Sequence, residues 1–598
     1  MDNNRNFLIA AALSLAVVFG WQALVIQPRI DRERAIAEEQ AAQAAKDGKT
    51  AQTTQPTEQA VLPSDNTAAS SGNAVPNGAS ATSGSDDAGR IEFKSARIEG
   101  SINLRGGRID DLKLLDYREW ADDAAPNITL LKPGSNANGY FAEFGFSKND
   151  VAGTLPGPST VWKQVGSGTL SPTSPVTLEF TNEKGITVSR VFEVDADYMF
   201  KVSDTIRNTG GSNITLQPYG RIARYGEPET AGIYVLHEGM IGSIGEQGLD
   251  EIDYDEIQED RLIKRETASN GWLGITDKYW ATALIPGQTF TAAYRYVQGA
   301  RPFYQTEYLG VPVTVGAGGE ATTSAQLFAG AKKVDIIDHY LEDTNIPLFD
   351  KIIDWGWFYW LTKPLFKLMS YIYGIVGNFG VAILLVTVII KLFFFPLANK
   401  SYASMANMKK VQPEMTAIRE RFADDRQAQQ KAMMELYKKE KINPAAGCWP
   451  ILIQIPVFFA LYKVIYVTIE MRHAPFVGWI QDLSAPDPTS IFNLFGLLPY
   501  DVPIFLLVGV WPLLMGITMF IQMQMNPAPP DPTQQMIFKW MPVVFTFMLA
   551  TFPAGLVIYW AWNNFLSIIQ QGVIMKRQGA KIELWDNLKG MFGRKEAS

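Results

Sequence analysis

A small set of polar side chains stands within long apolar segments in the C-terminal half of the chain. The candidate residues are Lys391, Thr387, Gln454, Tyr559, Asn563 and Gln571. Lys391 is the one charged residue of the segment 371–397, and Thr387 lies one helical turn before it on the same face. Side chains of these types bind polar or acidic groups through charge and hydrogen bonds. Together they would make a wet notch between helices rather than a site for covalent chemistry.

Each member of this set also has a simpler interpretation. A lysine in the middle of an apolar helix costs about 2.5–3.5 kcal/mol on insertion scales, so it tends to face a cavity. The long stem of Lys391 could instead carry its ammonium group to nearby lipid headgroups, and Lys463 is expected to reach the outer interface in this way. A single amide or hydroxyl in an apolar helix more often bonds to a neighbouring helix than to a ligand.

Residues for catalysis and metal binding are scarce. The one cysteine, Cys448, excludes an intramolecular disulfide, and the three histidines are scattered along the sequence. We therefore expect no metal, no cofactor and no catalytic residue, and the chain is not expected to be an enzyme. His237 and Glu238 leave a sugar-binding or sugar-converting site as a weaker alternative.

Composition divides the chain into two unlike parts. Its 598 residues include 53 basic and 61 acidic side chains, a net charge of -8, which argues against nucleic-acid binding and against DNA as a partner. The part before residue 350 is polar and rich in glycine, whereas 355–575 contains several long apolar runs. This contrast rules out a single soluble domain.

The N-terminal segment predicts a membrane anchor. Residues 7–26 carry no charge, and a helix of that length spans about 30 Å, the thickness of the hydrocarbon core. A cleaved signal peptide is the alternative, but its apolar region is shorter and ends in a small-residue cleavage site that is missing here. We predict a retained anchor over 1–27. The Ala-, Ser- and Thr-rich stretch 28–90 then predicts a disordered linker, which the loop charges considered below place in the periplasm.

Short alternating segments fill residues 91–345. Apolar residues alternate with polar ones over 176–180, a turn follows at 182–185, and the alternation resumes at Ile186. No strong helical pattern interrupts the region. It predicts an all-β domain, a large sandwich of antiparallel strands.

The remaining chain predicts membrane-associated helices. Aromatic residues and lysines in 346–370 favour an amphipathic helix in the membrane interface, although a buried amphipathic helix of the β domain fits the same pattern. Five apolar spans follow, which together with the anchor make a multi-pass α-helical membrane protein with six transmembrane helices. They are 371–397, 447–469, 502–525, 537–551 and 553–575.

Lysines and arginines orient these spans, because positively charged loops remain in the cytoplasm. They are concentrated in 398–446 and in the basic tail 576–598, whereas 470–501 contains a single arginine. The short connection 526–536 is then cytoplasmic. Both termini are predicted to be cytoplasmic, and the β domain and the loop 470–501 periplasmic.

The segment 398–446 contains apolar residues at three- and four-residue steps on either side of an acidic turn. This pattern predicts an antiparallel helical hairpin. Its candidate contact residues are Met405, Met408, Met415, Ile418, Phe422, Met433 and Tyr437. These faces could simply pack on each other, or could adapt to varied apolar partners as methionine-rich surfaces do.

Four stretches of the chain carry a family resemblance. VGNFG at 376–380, YKKEKINPAAGCWPILIQIPVFFALY at 437–462 and FPAGLVIYWAWNNFLSIIQQ at 552–571 resemble the YidC/Oxa/Alb family of membrane protein insertases. NGWLGITDKYWATALIP at 270–286 resembles the periplasmic domain of its Gram-negative members. The resemblance covers nearly the whole chain except the linker.

The resemblance implies a five-helix insertase core with a hydrophilic groove open to the cytoplasm and to lipid, and a periplasmic β-supersandwich. It implies the insertion and folding of proteins of the bacterial inner membrane, alone or with the Sec translocon. The implied partners are nascent inner-membrane proteins, SecYEG and SecDF, the ribosome and signal recognition particle pathway, and the phospholipid bilayer. No nucleotide is expected, because a client helix gains free energy on entering lipid.

One position departs from the family pattern. The family's groove arginine lies five residues before the proline that closes the second span, and here Lys391 stands at that distance before Pro396. The positive charge is kept, but the planar fork that binds a carboxylate with two parallel hydrogen bonds is lost. A groove that attracts acidic groups by charge alone is compatible with the lysine.

Two other classes of protein compete with this interpretation. A small-solute transporter or channel fits six spans with one intramembrane charge, but transporters usually contain internal repeats with paired broken helices, and no such repeat is visible. A membrane-anchored sugar-binding protein would leave the five-span core unexplained.

Overall fold

The structure is a computed structural model. It describes residues 88–579 except 123, 148–151, 232–235, 345, 423–424, 441–448, 499, 501, 504–505 and 527–531. The predicted anchor 1–27, nearly all of the linker 28–90, most of the tail 576–598 and Cys448 lie outside the described residues.

Two antiparallel sheets of nine strands each form the first part of the described chain. The strands are β1 Arg90–Lys94, β2 Ile98–Asn103, β3 Arg108–Arg118, β4 Asn127–Leu131, β5 Tyr140–Phe146, β6 Lys163–Val165, β7 Val176–Thr181, β8 Ile186–Val194, β9 Met199–Asn208, β10 Ile214–Leu216, β11 Pro218–Tyr225, β12 Gly239–Ile244, β13 Leu249–Asp253, β14 Leu262–Lys264, β15 Gly271–Thr276, β16 Trp280–Pro286, β17 Phe290–Val297, β18 Phe303–Gly310, β19 Val313–Val315 and β20 Glu320–Ala331. The first sheet has the order β1-β2-β3-β5-β11-β18-β17-β14, with β4 paired to β3. The second has the order β13-β12-β15-β16-β20-β9-β8-β7-β6, and β10 pairs with β19.

The hairpin of β7 and β8 illustrates how the sequence forms these sheets. Val176 and Leu178 are buried on one face of β7, and their polar neighbours point the other way. Gly185, at φ +77°, closes the turn and donates a 3.3 Å hydrogen bond to the carbonyl of Asn182. Ile186 resumes the buried face on β8. The hairpin predicted from the alternation is therefore present.

Charged side chains are also buried between the two sheets. Arg190 on β8 donates hydrogen bonds of 2.7 Å to both carboxylate oxygens of Asp204 on β9, and a third of 2.9 Å to the carbonyl of Phe144 in the opposite sheet. Glu143 on β5 pairs with Arg108 at 2.6 Å and Arg221 at 3.2 Å. Burial raises the pKa of Glu143, but the two arginines outweigh burial and hold it below the ordinary value.

Two short helices correct the expectation that no helix interrupts the β domain. They are α1, Tyr254–Asp260, and α2, Val334–Thr344. Helix α2 buries one face through Val334, Ile337 and Tyr340, which recur at three-residue steps. A pattern of only eleven residues is too short to stand out from the surrounding strands.

The second part of the described chain is helical. Its helices are α3 Tyr359–Val376, α4 Phe379–Phe393, α5 Phe395–Lys410, α6 Gln412–Arg421, α7 Arg426–Lys439, α8 Trp449–Val467, α9 Val510–Met525, α10 Pro532–Leu549 and α11 Ala554–Arg577. Helix α3 has one face packed on the protein and one face open, and Trp357 just before it is 97% exposed. Lys363 on α3 pairs with Asp338 of α2 at 2.8 Å, so α3 is tied to the β domain as well as carrying an exposed aromatic end.

The predicted span 371–397 is not one straight helix. Gly377, at φ +67°, ends α3, and the side chain of Asn378 caps α4. Helices α4 and α5 then meet at an angle of 67°, and in the described part of the chain this bent pair is the one arrangement long and apolar enough for a span. The other apolar helices identified there are shorter: Gln454–Val467, Val510–Met525 and Met536–Leu549. In the predicted span 502–525, the α-helix α9 begins at Val510.

The β domain contacts the helical part just after α8. Glu470 Oε1 accepts a 3.0 Å hydrogen bond from the backbone N–H of Val334, the first residue of α2. Arg472 donates a 3.0 Å bond to the carbonyl of Glu119. Lys463, which was expected to reach the headgroups, instead pairs with Asp354 at 2.6 Å and is largely buried. The two parts are therefore joined by specific polar contacts.

Candidate functional site

Lys391 lies in the last turn of α4, just before the bend into α5. Helix α4 begins where Asn378 Oδ1 accepts a 3.0 Å hydrogen bond from the N–H of Val381, and an apolar run continues it to Phe393. Pro396 stands in the first turn of α5, where the missing N–H costs no helical bond. The bend leaves Lys391 facing the space beside α8 and α11.

A cleft of about 60 Å³ opens between α4, α5, α8 and α11. Its lining side chains are Thr387, Ile390, Lys391, Phe394, Leu397, Ala398, Tyr402, Gln454, Val457, Tyr559, Asn563 and Gln570. A cavity of this size holds a few water molecules when polar partners surround it. Five of the six predicted groove residues line the cleft, namely Lys391, Thr387, Gln454, Tyr559 and Asn563.

The ammonium group of Lys391 is held by a hydroxyl rather than by a carboxylate. Its Nζ donates a 2.6 Å hydrogen bond to Ser567 Oγ on α11, and Ser567 in turn donates a 2.8 Å bond to the carbonyl of Asn563. Among the described residues, none of the Asp or Glu side chains forms an ion pair with Lys391. The charge is positioned but not neutralised.

Three further polar residues reach the cleft from three helices. Thr387 donates a 2.7 Å bond to the carbonyl of Ile383 one turn earlier, so its hydroxyl proton is used within α4. Tyr559 on α11 and Gln454 on α8 line the cleft from its other walls. Polar groups of α4, α8 and α11 therefore meet beside Lys391.

Gln571 does not reach the cleft, although it was predicted there. Its side chain donates a 2.9 Å hydrogen bond to Asn526 Oδ1 and is buried against the end of α9. Gln570 lines the cleft in its place. The helix of 3.6 residues per turn explains the difference: Gln570 lies about 20° from Tyr559 around α11, and Gln571 about 120° away.

Two residues of the site were not identified from the sequence. Ser567 contacts the ammonium group of Lys391 directly, and Tyr402 on α5 lines the cleft. Tyr559, Asn563 and Ser567 recur at four-residue steps along α11. That spacing is the signal that could have identified Ser567.

The predicted hairpin corresponds to α6 and α7. Its apolar residues pack largely on each other, in a cluster of Met408, Val411, Met415, Ile418, Met433, Leu436 and Tyr437. Met405, on α5, and Phe422, at the end of α6, are half-buried. Met434 on α7 points outward and is 55% exposed. Most of the predicted contact face is therefore used inside the hairpin.

In the alternative site around His237, the polar side chains already form hydrogen bonds with neighbouring groups of the protein. Its Nδ1 lies 3.0 Å from Asp253 Oδ1, and its Nε2 lies 3.0 Å from the carbonyl of Met240. Glu238 accepts a 2.9 Å hydrogen bond from the N–H of Lys278. Both ring nitrogens are thus engaged, and the described ranges contain no cluster of metal-ligating side chains.

Known proteins resemble the chain over its whole length. A family model of the YidC periplasmic domain matches residues 90–368, and one of the 60Kd inner membrane protein matches residues 371–581. The membrane protein insertase YidC of Rhizobium meliloti (strain 1021) is 55% identical and covers 100% of this chain and 99% of the relative. The protein of the same name from Brucella suis biovar 1 (strain 1330) is 57% identical with the same coverage.

Solved structures give weaker likenesses. An active YidC insertase crystal structure with the first transmembrane domain resolved is 17% identical, with 80% of this chain and 91% of that chain covered and a TM-score of 0.33. That score is too low to support a structural argument. The full-length sequence relatives decide the matter: the chain belongs to the YidC family of membrane protein insertases.

Proposed function

We propose that the chain is itself an insertase of the bacterial inner membrane, which moves client proteins from the cytoplasmic side into the bilayer. The names of its full-length relatives support the activity. The observation that carries the mechanism is the cleft around Lys391, where a cation is fixed by Ser567 and has no described carboxylate partner. No covalent bond is broken in this process, so the activity is not enzymatic.

The first step is the attraction of a polar client segment to the cleft. Two opposite unit charges 4 Å apart attract each other by about 4 kcal/mol at an effective dielectric constant near 20. An acidic client tail therefore gains most, because Lys391 can still donate hydrogen bonds beyond the one to Ser567. Thr387, Gln454, Tyr559, Asn563 and Gln570 extend the hydrated wall that a polar tail would follow.

The second step is the transfer of the client's apolar helix into lipid. Each strongly apolar residue contributes about 0.3–0.6 kcal/mol on insertion, so a span of about 20 such residues is favourable without nucleotide hydrolysis. The barrier is the polar tail, and a hydrated cleft shortens the dry distance that the tail must cross.

The proposed topology follows the charges of the loops. The basic segment 398–446 and the tail 576–598 lie in the cytoplasm with both termini, and the β domain 91–345 lies in the periplasm. Of the six proposed spans, 1–27 is the anchor, and the other five form a core built from α4, α8, α9, α10 and α11. Helix α3 lies in the outer interface, where its exposed aromatic residues are favoured.

The hairpin α6–α7 is the proposed contact for cytoplasmic partners, namely the ribosome, the signal recognition particle pathway and the client. SecYEG and SecDF are proposed partners within the membrane. Met434→Gln should weaken binding of translating ribosomes and leave the hairpin folded, because Met434 is exposed. Met415→Gln, at a buried position, should unfold the hairpin and serves as the matched control. Equal binding by the wild type and Met434→Gln contradicts this role.

Reconstitution of the full chain into liposomes tests the activity. A single-span client with an acidic tail is synthesised in the presence of these proteoliposomes, without nucleotide and without SecYEG, and its protection from protease is measured. Protection above that of empty liposomes is expected. Leakage of small solutes without client protection would instead favour the channel alternative.

A further inference from the structure

The segment between α8 and α9 contains a closed loop with a polar base. Asp487 Oδ1 accepts hydrogen bonds from Trp479 Nε1 at 3.1 Å and from Thr489 Oγ1 at 2.7 Å, and its Oδ2 accepts from the N–H of Trp511 in the first turn of α9 at 2.9 Å. Ile491 donates a 3.0 Å bond to the carbonyl of Val508. These bonds fix both ends of the loop against the start of α9.

The tip of this loop, residues 491–498 with Tyr500, is apolar and open. Its large exposed side chains are Phe492, Leu494, Phe495, Leu497, Leu498 and Tyr500. Leu497 is 81% exposed, and residues 488–500 contain no charged side chain. Monomeric proteins rarely leave such a concentration of apolar surface in water without a partner.

The backbone of the tip also adopts an unfavourable conformation. Leu494 and Phe495 have φ values of 51° and 60°, in the left-handed region that bulky residues avoid. Internal bonds hold it there: Phe495 donates a 2.7 Å bond to the carbonyl of Ser490. The tip is therefore an ordered feature that holds its apolar side chains outward, and strain of this kind is typical of functional segments.

The loop lies at the end of the helical part that faces the β domain. Glu470, just after α8, contacts α2, and the N–H of Gly555 at the start of α11 donates a 2.9 Å bond to the carbonyl of Leu483. Asn378 at the start of α4 donates a 2.8 Å bond to the carbonyl of Phe476. The outer ends of α4, α8, α9 and α11 therefore meet beside the loop.

The length of α9 places the tip at the level of the outer headgroups. Its sixteen residues rise about 24 Å, roughly 6 Å less than a typical hydrocarbon core. Its inner end is fixed by the bond between Gln571 and Asn526. Helix α9 itself has an apolar outer surface, on which Leu514 and Ile517 are exposed.

We propose that residues 491–498 insert into the outer leaflet of the bilayer and make up the missing apolar length of α9. The occupant of this surface is phospholipid at the boundary between headgroups and acyl chains, where aromatic and aliphatic side chains are favoured together. The inference rests on the proposed membrane location of the helical part. It gives the chain a second outer membrane contact besides the exposed aromatic end of α3.

Spin labels at single cysteines test the depth of the tip. The Cys448→Ala background has no cysteine, and nitroxide is attached at Leu497→Cys in the full chain, reconstituted at high lipid content without other proteins. Collision with oxygen, which concentrates in lipid, is compared with collision with a water-soluble nickel complex. Ile517→Cys on α9 is the lipid control, and Val165→Cys, exposed on β6, is the water control.

The proposal predicts an oxygen-to-nickel ratio at Leu497 several-fold above that at Val165 and close to that at Ile517. A ratio equal to that at Val165 overturns the loop proposal while leaving the proposed function intact, provided that Ile517 reports lipid. Low collision with both reagents, which means packing against protein, also overturns it. A water-like ratio at Ile517 contradicts the membrane location itself. A second label at Phe495→Cys must agree with Leu497, which guards against a local folding defect.

Discussion

The ammonium group of Lys391 donates a 2.6 Å hydrogen bond to the hydroxyl of Ser567, which lies 176 residues later in the chain. Ser567 donates its own hydrogen bond to the carbonyl of Asn563, so its hydroxyl oxygen accepts the bond from the lysine in a fixed orientation. A neutral acceptor orients the cation and leaves its charge available. An aspartate at the same place would have neutralised it.

The charge of Lys391 should matter most for clients with acidic tails. Lys391→Arg should retain insertion, whereas Lys391→Ala should slow it roughly tenfold, which corresponds to about 1.4 kcal/mol, and Lys391→Glu should slow it more. Insertion rates of clients with acidic and neutral tails into proteoliposomes measure the effect. Lys400→Ala, which removes an exposed lysine of α5, is the control and should change neither rate. Equal rates for all the Lys391 variants would refute the electrostatic step.

Ser567→Ala should give a smaller defect than Lys391→Ala. The variant keeps the charge but removes the acceptor that orients it, and a hydrogen bond to a charged group contributes about 1.5–3 kcal/mol, part of which water restores. We expect insertion of acidic-tailed clients at a rate between those of the wild type and Lys391→Ala, and rescue by Ser567→Thr. A defect that is equally large for neutral tails would indicate damaged packing of α11 instead.

The contact between Glu470 and Val334 should make stability depend on pH. Burial, with a smaller contribution from Asp335, raises the pKa of Glu470 from 4.5 to about 7, against the opposing effects of the Val334 N–H and Lys333. The native state then holds a proton that the unfolded state has lost, so stability should fall as the pH rises from about 4.5 to about 7, by at most about 3 kcal/mol. Below that window the contribution is complete.

Glu470→Gln keeps an acceptor for Val334 and removes the titration. Its unfolding temperature should therefore change less between pH 5 and pH 8 than that of the wild type, measured on the full chain in detergent. Glu259→Gln, which removes an exposed carboxylate of α1, is the control. An identical pH profile for the wild type and Glu470→Gln would exclude Glu470 as the titrating group.

The buried ion pair of Arg190 and Asp204 should be essential to the β domain. Arg190→Ala leaves a buried carboxylate without its partner and should lower the free energy of unfolding by about 3–5 kcal/mol. Lys201→Ala breaks a pair with Glu193 that is about half-exposed, and should cost at most about 1 kcal/mol. Hydrogen exchange of the amides of β8 and β9 measures both. Similar protection in the two variants would contradict the prediction.

Local patterns in the sequence were sufficient for the β7–β8 hairpin, whereas the expectation that Lys391 faces a groove depended on the family resemblance. The alternation at Val176 and Leu178 predicted the β7–β8 hairpin, and the polar residues of apolar segments predicted five cleft residues. The 67° bend between α4 and α5 was not predictable from composition, because apolar residues continue on both sides of Phe394. The pairing of Lys463 with Asp354 joins distant parts of the chain, and no local period encodes such a contact.

The link between Glu470 and Val334 bears on the order in which the chain is assembled. Val334, the first residue of α2, is synthesised 136 residues before Glu470, whose side chain accepts the hydrogen bond from the Val334 N–H. During synthesis the β domain emerges first. The N–H at the start of α2 therefore lacks the acceptor on Glu470 until α8 has been synthesised. The last contacts of the β domain thus form only after the helices that follow it have been synthesised. A stalled or truncated product would expose the end of α2 without its hydrogen-bond partner, and quality-control proteases could recognise that surface.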